Sequence, residues 1–440
     1  MDRWNGVSRG IALVVGLLLM ARPVCAQTTS GPARPYRALF GGDASNQRSR
    51  HQVDLTLSMQ GGTDNGLAAP VAAPPNAPTG AAPKEFSELF SGSAQMSYAM
   101  RGRSVGVGAA GSVSYPYYSI FPDIQDLAYG SSANASYVSG PTSLSAFGSF
   151  AYSPYYSPAL TPGYGGPVDY AAALSPNESL SSGASWTQRF GRQTSMTAAY
   201  SLSGVLFTDE DRSNRSQYAQ LSASRQMTKS TSINGGYAYS ASDYSGSAQT
   251  ASNSQWFNLG VGYNHRSSRG LGTSVALSAG GSIVDYLQRY HLWHWSLSFS
   301  RAISANWTVG AGYNRSLENQ NVLQQPVWAD VARATVTGRS GRRVQLSFAA
   351  LYSKGWQLES ASSPRYDIYS GTARVQVALA ESLAVTADYI YYRYNYPAGY
   401  DLPEGVPQHQ DRQRVLVGAR FWLPLLRAGR AGEPRPAASQ

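Results

Sequence analysis

The stretch RSVGVGAAGSVSY, Arg103 to Tyr115, puts Val105, Val107, Ala109, Val113 and Tyr115 on odd positions and only Ser, Gly or Ala on even ones. Successive side chains of a strand point to opposite faces, so a period of two describes a strand with one greasy and one small, polar face; a helix would repeat every 3.6 residues. The pattern recurs along most of the chain. Phe257, Leu259, Val261 and Tyr263 alternate with Asn258, Gly260, Gly262 and Asn264. Trp293, Trp295, Leu297 and Phe299 alternate with His294, Ser296 and Ser298, and Val415, Val417, Ala419 and Phe421 behave likewise.

Two kinds of connection separate these runs and take turns. Short ones fall at 101–103, 139–141, 190–192, 227–229, 267–270, 303–306, 339–342 and 380–382, while longer stretches rich in Pro, Gly and Tyr cover 61–87, 116–127, 154–178, 354–365 and 395–411. Alternating short and long connections belong to barrels that cross an outer membrane, with turns in the periplasm and loops outside. The expected fold is all-β: a transmembrane antiparallel up-and-down barrel of about 18 strands, 16 at the lower end, over residues 50–423. A recurrence near 40 residues also fits propeller blades, but no Trp-Asp blade signature occurs. The outward parity, moreover, gathers aromatics into two rows. Tyr115, Tyr129, Tyr152, Tyr239, Trp293, Tyr313, Tyr352, Tyr369 and Tyr391 fall at loop ends; Tyr137, Trp186, Tyr263, Phe299, Trp307 and Phe421 fall at turn ends. Two such rows match the two interfaces of a bilayer.

Composition agrees. With 30 Tyr, 44 Gly and only 14% charged residues, a soluble surface would be poorly solvated, whereas a wall facing lipid outside and water inside accounts for the same numbers. At the start, Arg3 and Arg9 precede the apolar run Ile11 to Ala21, and Val24-Cys25-Ala26 supplies small residues. This is the form of a secretory signal peptide spanning 1–26. Its removal takes the single Cys with it and leaves a thiol-free chain suited to an oxidising compartment. Segment 27–49 is expected to be a flexible periplasmic lead-in, and 424–440 a disordered tail. The mild basic excess is scattered along the chain and makes no case for nucleic acid.

The last run, LVGARFWL from Leu416 to Leu423, places Gly418 ahead of Phe421 and Leu423. It resembles the C-terminal assembly signal of Gram-negative outer-membrane β-barrels, and over 50–423 the chain resembles porin-like barrels of unassigned function. That resemblance implies insertion by the barrel-assembly machinery and contact with outer-membrane lipid and lipopolysaccharide. It departs from the family pattern where the chain continues as PLLRAGRAGEPRPAASQ.

No catalytic constellation stands out, so no enzymatic role, cofactor or metal is expected. His291 and His294 lie three apart and point to opposite faces of a strand, a poor metal pair. The acidic stretch Thr208 to Asp211 reads as a solvated loop tip or as a Ca²⁺ site. YPYYSIFP (115–122) and SPYYSPALTPGY (153–164) read as loops that pack over the mouth or stack on sugars. The sharper candidate is a lumen charge patch of Asp54, Arg374, Asp388 and Arg420, inward on four neighbouring strands once the barrel closes, with Arg189 and Arg414 elsewhere on the wall. It reads either as charge pairs that pin the register of the closing seam or as a constriction that favours anions. The expected function is passive passage of small hydrophilic solutes with a weak anion preference, the alternative being export or anchoring of an anionic exopolysaccharide.

Overall fold

The computed structural model describes residues 49–65, 87–119, 127–154, 176–207, 213–245, 251–266, 271–320, 325–358, 365–397 and 408–430. Within them run 18 strands and no helix: β1 (Ser49–Asp64), β2 (Ser87–Arg101), β3 (Val105–Tyr118), β4 (Ala128–Ser139), β5 (Thr142–Ser153), β6 (Asn177–Phe190), β7 (Thr194–Phe207), β8 (Ser213–Gln226), β9 (Thr231–Ser245), β10 (Ala251–Arg266), β11 (Gly272–Asp285), β12 (Arg289–Ser304), β13 (Trp307–Gln320), β14 (Gln325–Ser340), β15 (Val344–Gln357), β16 (Tyr366–Ala380), β17 (Leu383–Asn395) and β18 (His409–Arg430). Each pairs antiparallel with its sequence neighbours, and β1 pairs with β18, so the sheet closes on itself. Closure removes every long free edge, which is what allows strands to cross a bilayer.

Turn chemistry makes the short end. Gly140, Gly191 and Gly341 take positive φ of 55°, 72° and 66° in three of the tight connections, a backbone region that residues with a Cβ enter at a cost. The other end departs from the expected alternation in more than one place: four residues, 321–324, link β13 to β14, and only residues 286–288 link β11 to β12. There Tyr286 N–H donates to the Gln288 carbonyl at 3.2 Å, and Arg289 and Asp285 close the hairpin at 2.6 Å.

The parities stand as read. Leu259 and Trp293 are 76% and 79% exposed on the outer wall, whereas Gln376, on the opposite parity of β16, is buried. Outward aromatics pair across strands: Tyr129 with Tyr152 at 5.1 Å between ring centroids, Trp295 with Tyr313 at 4.2 Å and Tyr352 with Tyr369 at 4.9 Å. Inward, hydroxyls face each other in register, as in Ser145–Ser185 and Ser149–Ser181, both at 2.7 Å, and Thr187–Thr197 at 2.9 Å. Such pairs each contribute roughly 0.2–1 kcal/mol to a strand pairing.

The strands are 12 to 22 residues long, more than a bilayer crossing needs. Two expectations change. Tyr115 and Tyr117 belong to β3 and face outward, so the first part of a stretch read as loop is wall. The last strand ends at Arg430, not Leu423: residues 424–430 pair with β1 instead of trailing away. Val53 faces Leu426 and Asp54 faces Pro424, which leaves Leu425 as a bulge. Pro424 has no N–H to give the ladder, and a bulge is where a strand tolerates that loss. Segments 1–48 and 431–440, the core of the loop at 66–84 and the acidic stretch 208–211 lie outside the described residues.

Candidate channel lumen and closing seam

Three arginine–aspartate pairs line the inner wall near the seam. Arg374 on β16 lies directly opposite Asp388 on β17, and its guanidinium grips the carboxylate with Nε at 2.5 Å and Nη2 at 3.0 Å. Arg412 on β18 reaches Asp64 at the end of β1, Nη2 at 2.6 Å and Nε at 2.9 Å, with both side chains sealed from solvent. Arg427, beyond the bulge on β18, bonds Asp54 on β1. Its Nη1 also donates to the Val53 carbonyl at 3.0 Å, and its guanidinium sits 5.7 Å from the Trp422 ring. Gln52 donates to the other Asp54 oxygen. Planar two-point contact with a carboxylate is the geometry for which arginine is suited.

The structure brings together only one of the expected neighbours. Arg374 meets Asp388, but Arg420 stands opposite Ala384 on one side and Ser58 on the other, four residues along β1 from Asp54. Asp54 takes Arg427 instead, because the bulge at Leu425 reverses the facing of residues 426–430 and turns Arg427 inward. Arg414 faces Ile390 and Asp64 in register, with its Nε buried and unsatisfied. Arg189 is exposed on β6, well around the barrel from the seam. The four residues therefore do not form one alternating patch.

Among the described side chains, the inward acids are Asp54, Asp64 and Asp388, and each is held by an arginine. Inward arginines continue past these pairs at Arg189, Arg333 and Arg414, with Arg333 exposed midway along β14. Among the described side chains the inner wall therefore carries more basic than acidic groups, and charges on it act over a Debye length of about 8 Å.

A second inner feature has no counterpart in the alternation. Val327, Tyr366, Ile368, Tyr392, Tyr394 and Tyr396 form a buried apolar cluster on the inward parity at the loop ends of β14, β16 and β17. Lower down, Phe147 points inward 48% exposed, and Tyr218 lies 6.1 Å from Trp256. The alternation led to an inner face made mostly of small, polar side chains. The signal was present at 389–396, YIYYRYNY, where aromatics occupy both parities at Tyr391 and Tyr392 and then keep to the inward one, with Arg393 and Asn395 outward. Of the histidines, His294 faces inward and His291 outward on β12. Ser296, inward beside His294, is bonded to Ser278 at 2.7 Å. No group of metal-ligating residues occurs among the described residues, and no helix there is long and apolar enough to cross a membrane.

No family model and no curated protein matches the chain by sequence. Among solved structures it is similar to Pseudomonas aeruginosa OpdQ, with a TM-score of 0.47 and 11% identity over 86% of this chain and 98% of that one. It is also similar to Acinetobacter baumannii OccAB3 (0.47, 14%, over 85% and 99%) and to a BenF-like porin from Pseudomonas fluorescens Pf-5 (0.46, 11%, over 85% and 99%). A closed antiparallel barrel of 18 strands, with aromatic rows bounding its apolar outer belt and hydroxyl pairs lining its interior, has the architecture of a porin-like outer-membrane protein.

Proposed function

We propose that the chain is a passive outer-membrane channel for small hydrophilic solutes, with a preference for anions. A barrel of this strand number encloses an aqueous lumen, and its hydroxyl-rich wall keeps that lumen wetted without binding solutes tightly. The observation that carries the reading is the charge balance of the inner wall: each described inward aspartate is neutralised by its own arginine, while Arg189, Arg333 and Arg414 add positive charge that no described aspartate offsets. Rings of basic side chains favour anions because they lower the electrostatic cost of entry. The test is single-channel recording of the purified protein in a planar bilayer under a KCl gradient. Discrete open channels whose reversal potential reports greater permeability to chloride than to potassium are expected. Silent insertion, or a cation-selective reversal potential, would overturn the reading.

A further inference from the structure

The charges of the inner wall gather on one side of it. Apart from Arg189 at the turn end of β6, the inward arginines and aspartates named above belong to β1, β14 and β16 to β18. Among the described residues, the inward side chains of β4, β5 and β7 to β9 carry no charge. This arc carries aromatic rings instead: Phe147 on β5, Tyr218 on β8 and, at its edge, Trp256 on β10. Phe147, Gly183, Ser201 and Tyr218 stand opposite one another in register across four strands. With neighbouring strands about 4.8 Å apart, the first two rings are separated by roughly 14 Å of wall; Tyr218 and Trp256 are 6.1 Å apart between centroids. Counted from the turn ends of their strands, Phe147 stands five residues up, Tyr218 eight and Trp256 ten, so the rings climb the wall from the turn end toward the loop end.

Phe147 is set down along the wall by a glycine. A Cβ at Gly183 would come within 2.6 Å of the ring's Cε1 and 2.9 Å of its Cζ, so the missing side chain is what lets the ring lean across β6. The residue nonetheless stays 48% exposed, open to contact from the lumen. Hydroxyl pairs bracket it: Ser145–Ser185 on the turn side and Ser149–Ser181 on the loop side, both at 2.7 Å. Tyr218 is fixed by its hydroxyl, which donates to the Gln220 side-chain carbonyl at 3.0 Å. Asn258 stands two residues below Trp256 on the same inward face. An aromatic that covers a sheet glycine helps to hold register, which accounts for Phe147 alone; it does not account for Tyr218 and Trp256, or for rings confined to the uncharged arc.

We infer that Phe147, Tyr218 and Trp256 form a binding ledge for short neutral saccharides inside the lumen. A pyranose ring has an apolar face of C–H bonds and a rim of hydroxyls. The electron-rich faces of aromatic rings receive the first, and the serine hydroxyls and the Gln220 and Asn258 amides beside them receive the second. Sites of this kind combine apolar or aromatic surface with a few placed polar groups. A charged solute gains nothing on an arc without charge, and a linear polyol offers hydroxyls but no ring face. The inference rests on the channel reading and names a class of solute for it, yet binding to the ledge is measurable without conduction, so the two can fail separately.

The experiment titrates the folded protein, in a detergent without a sugar headgroup such as lauryldimethylamine oxide, with cellotriose by calorimetry, and with sorbitol as the ring-free comparison. Folding of each variant is checked by its heat-modifiable migration on electrophoresis. The wild type is expected to bind cellotriose and not sorbitol. Phe147→Leu and Trp256→Leu keep an apolar side chain but lose the aromatic face, and each is expected to bind cellotriose about three- to tenfold more weakly; Phe147→Tyr restores the ring and binds as the wild type does. In a planar bilayer, cellotriose is expected to reduce the current through wild-type channels and to reduce it less in the leucine variants. Should Phe147→Leu fail to fold, Tyr218→Leu and Trp256→Leu are read in the same way. No cellotriose binding by the folded wild type, equal affinity for sorbitol, or leucine variants that bind cellotriose as tightly as the wild type would overturn the inference. Silent channels with intact, ring-dependent cellotriose binding would overturn the channel reading and uphold the ledge.

Discussion

Arg412 and Asp64, 348 residues apart in the chain, meet across the closing seam with Nη2 2.6 Å from Oδ2, and solvent reaches neither charge. Removing one partner leaves an uncompensated buried charge, which costs about 3–5 kcal/mol, whereas replacing both with apolar residues of similar volume is often neutral or better. Arg412→Ala is therefore expected to lower the urea midpoint of the detergent-solubilised barrel sharply, and Arg412→Met with Asp64→Leu to recover most of it. A double variant as unstable as the single one would show that the pair does more than satisfy itself.

Arg374 and Asp388 are less sealed, with the arginine side chain 38% exposed and the aspartate 9%. Here the consequence should appear in selectivity. Asp388→Asn removes the neutralising charge and is expected to move the reversal potential further toward anions, while Arg333→Gln, on open wall, moves it toward cations with an unchanged melting temperature. Bilayer recordings of the two variants in the same KCl gradient provide the check.

Arg427 holds Asp54 from beyond the bulge. A chain truncated after Leu423 loses this arginine and leaves Asp54 buried and alone, so it is expected to assemble more slowly, as followed by the appearance of the heat-modifiable band. Asp54→Asn in the truncated chain removes the stranded charge and should restore part of the rate. Truncation without effect would return residues 424–430 to the role of a dispensable tail.

The wall itself can be probed at two adjacent positions on β10. Leu259→Arg places a charge in the lipid-facing belt and is expected to cost about 2–4 kcal/mol if it lies at the midplane. Asn258→Arg, one residue earlier, points into the lumen and should leave stability nearly unchanged. Equal losses, measured by urea titration of folded protein in detergent, would contradict the assigned faces.

Much of this was legible in the residues. Period-two alternation assigns each side chain to lipid or lumen, because a strand's geometry allows no other reading of Leu259 beside Asn258. The short connections at Gly140, Gly191 and Gly341 mark one end of the barrel, because those glycines accept a backbone conformation that other residues resist. Even the runs 128–138 and 328–337, with weak alternation, take their places as β4 and β14, since closure needs a partner on both sides of every strand.

Partner choice was not legible, because it depends on register between strands hundreds of residues apart. The residues put Arg420 and Asp54 inward on neighbouring strands of the seam; the structure gives Asp54 a different arginine, Arg427, because the N–H missing at Pro424 is absorbed as a bulge at Leu425 that reverses every facing after it. The buried cluster of Tyr366, Ile368, Tyr392 and Tyr394 escaped for a related reason. Alternation separates one face from the other, and where Tyr392, Tyr394 and Tyr396 alternate with Arg393 and Asn395 only the fold shows that the aromatic face is the inner one. The sequence by itself determined the strands, their faces and the ends of the barrel through local backbone geometry. Only the tertiary structure decided which charges neutralise one another, since that depends on a closure no local pattern records.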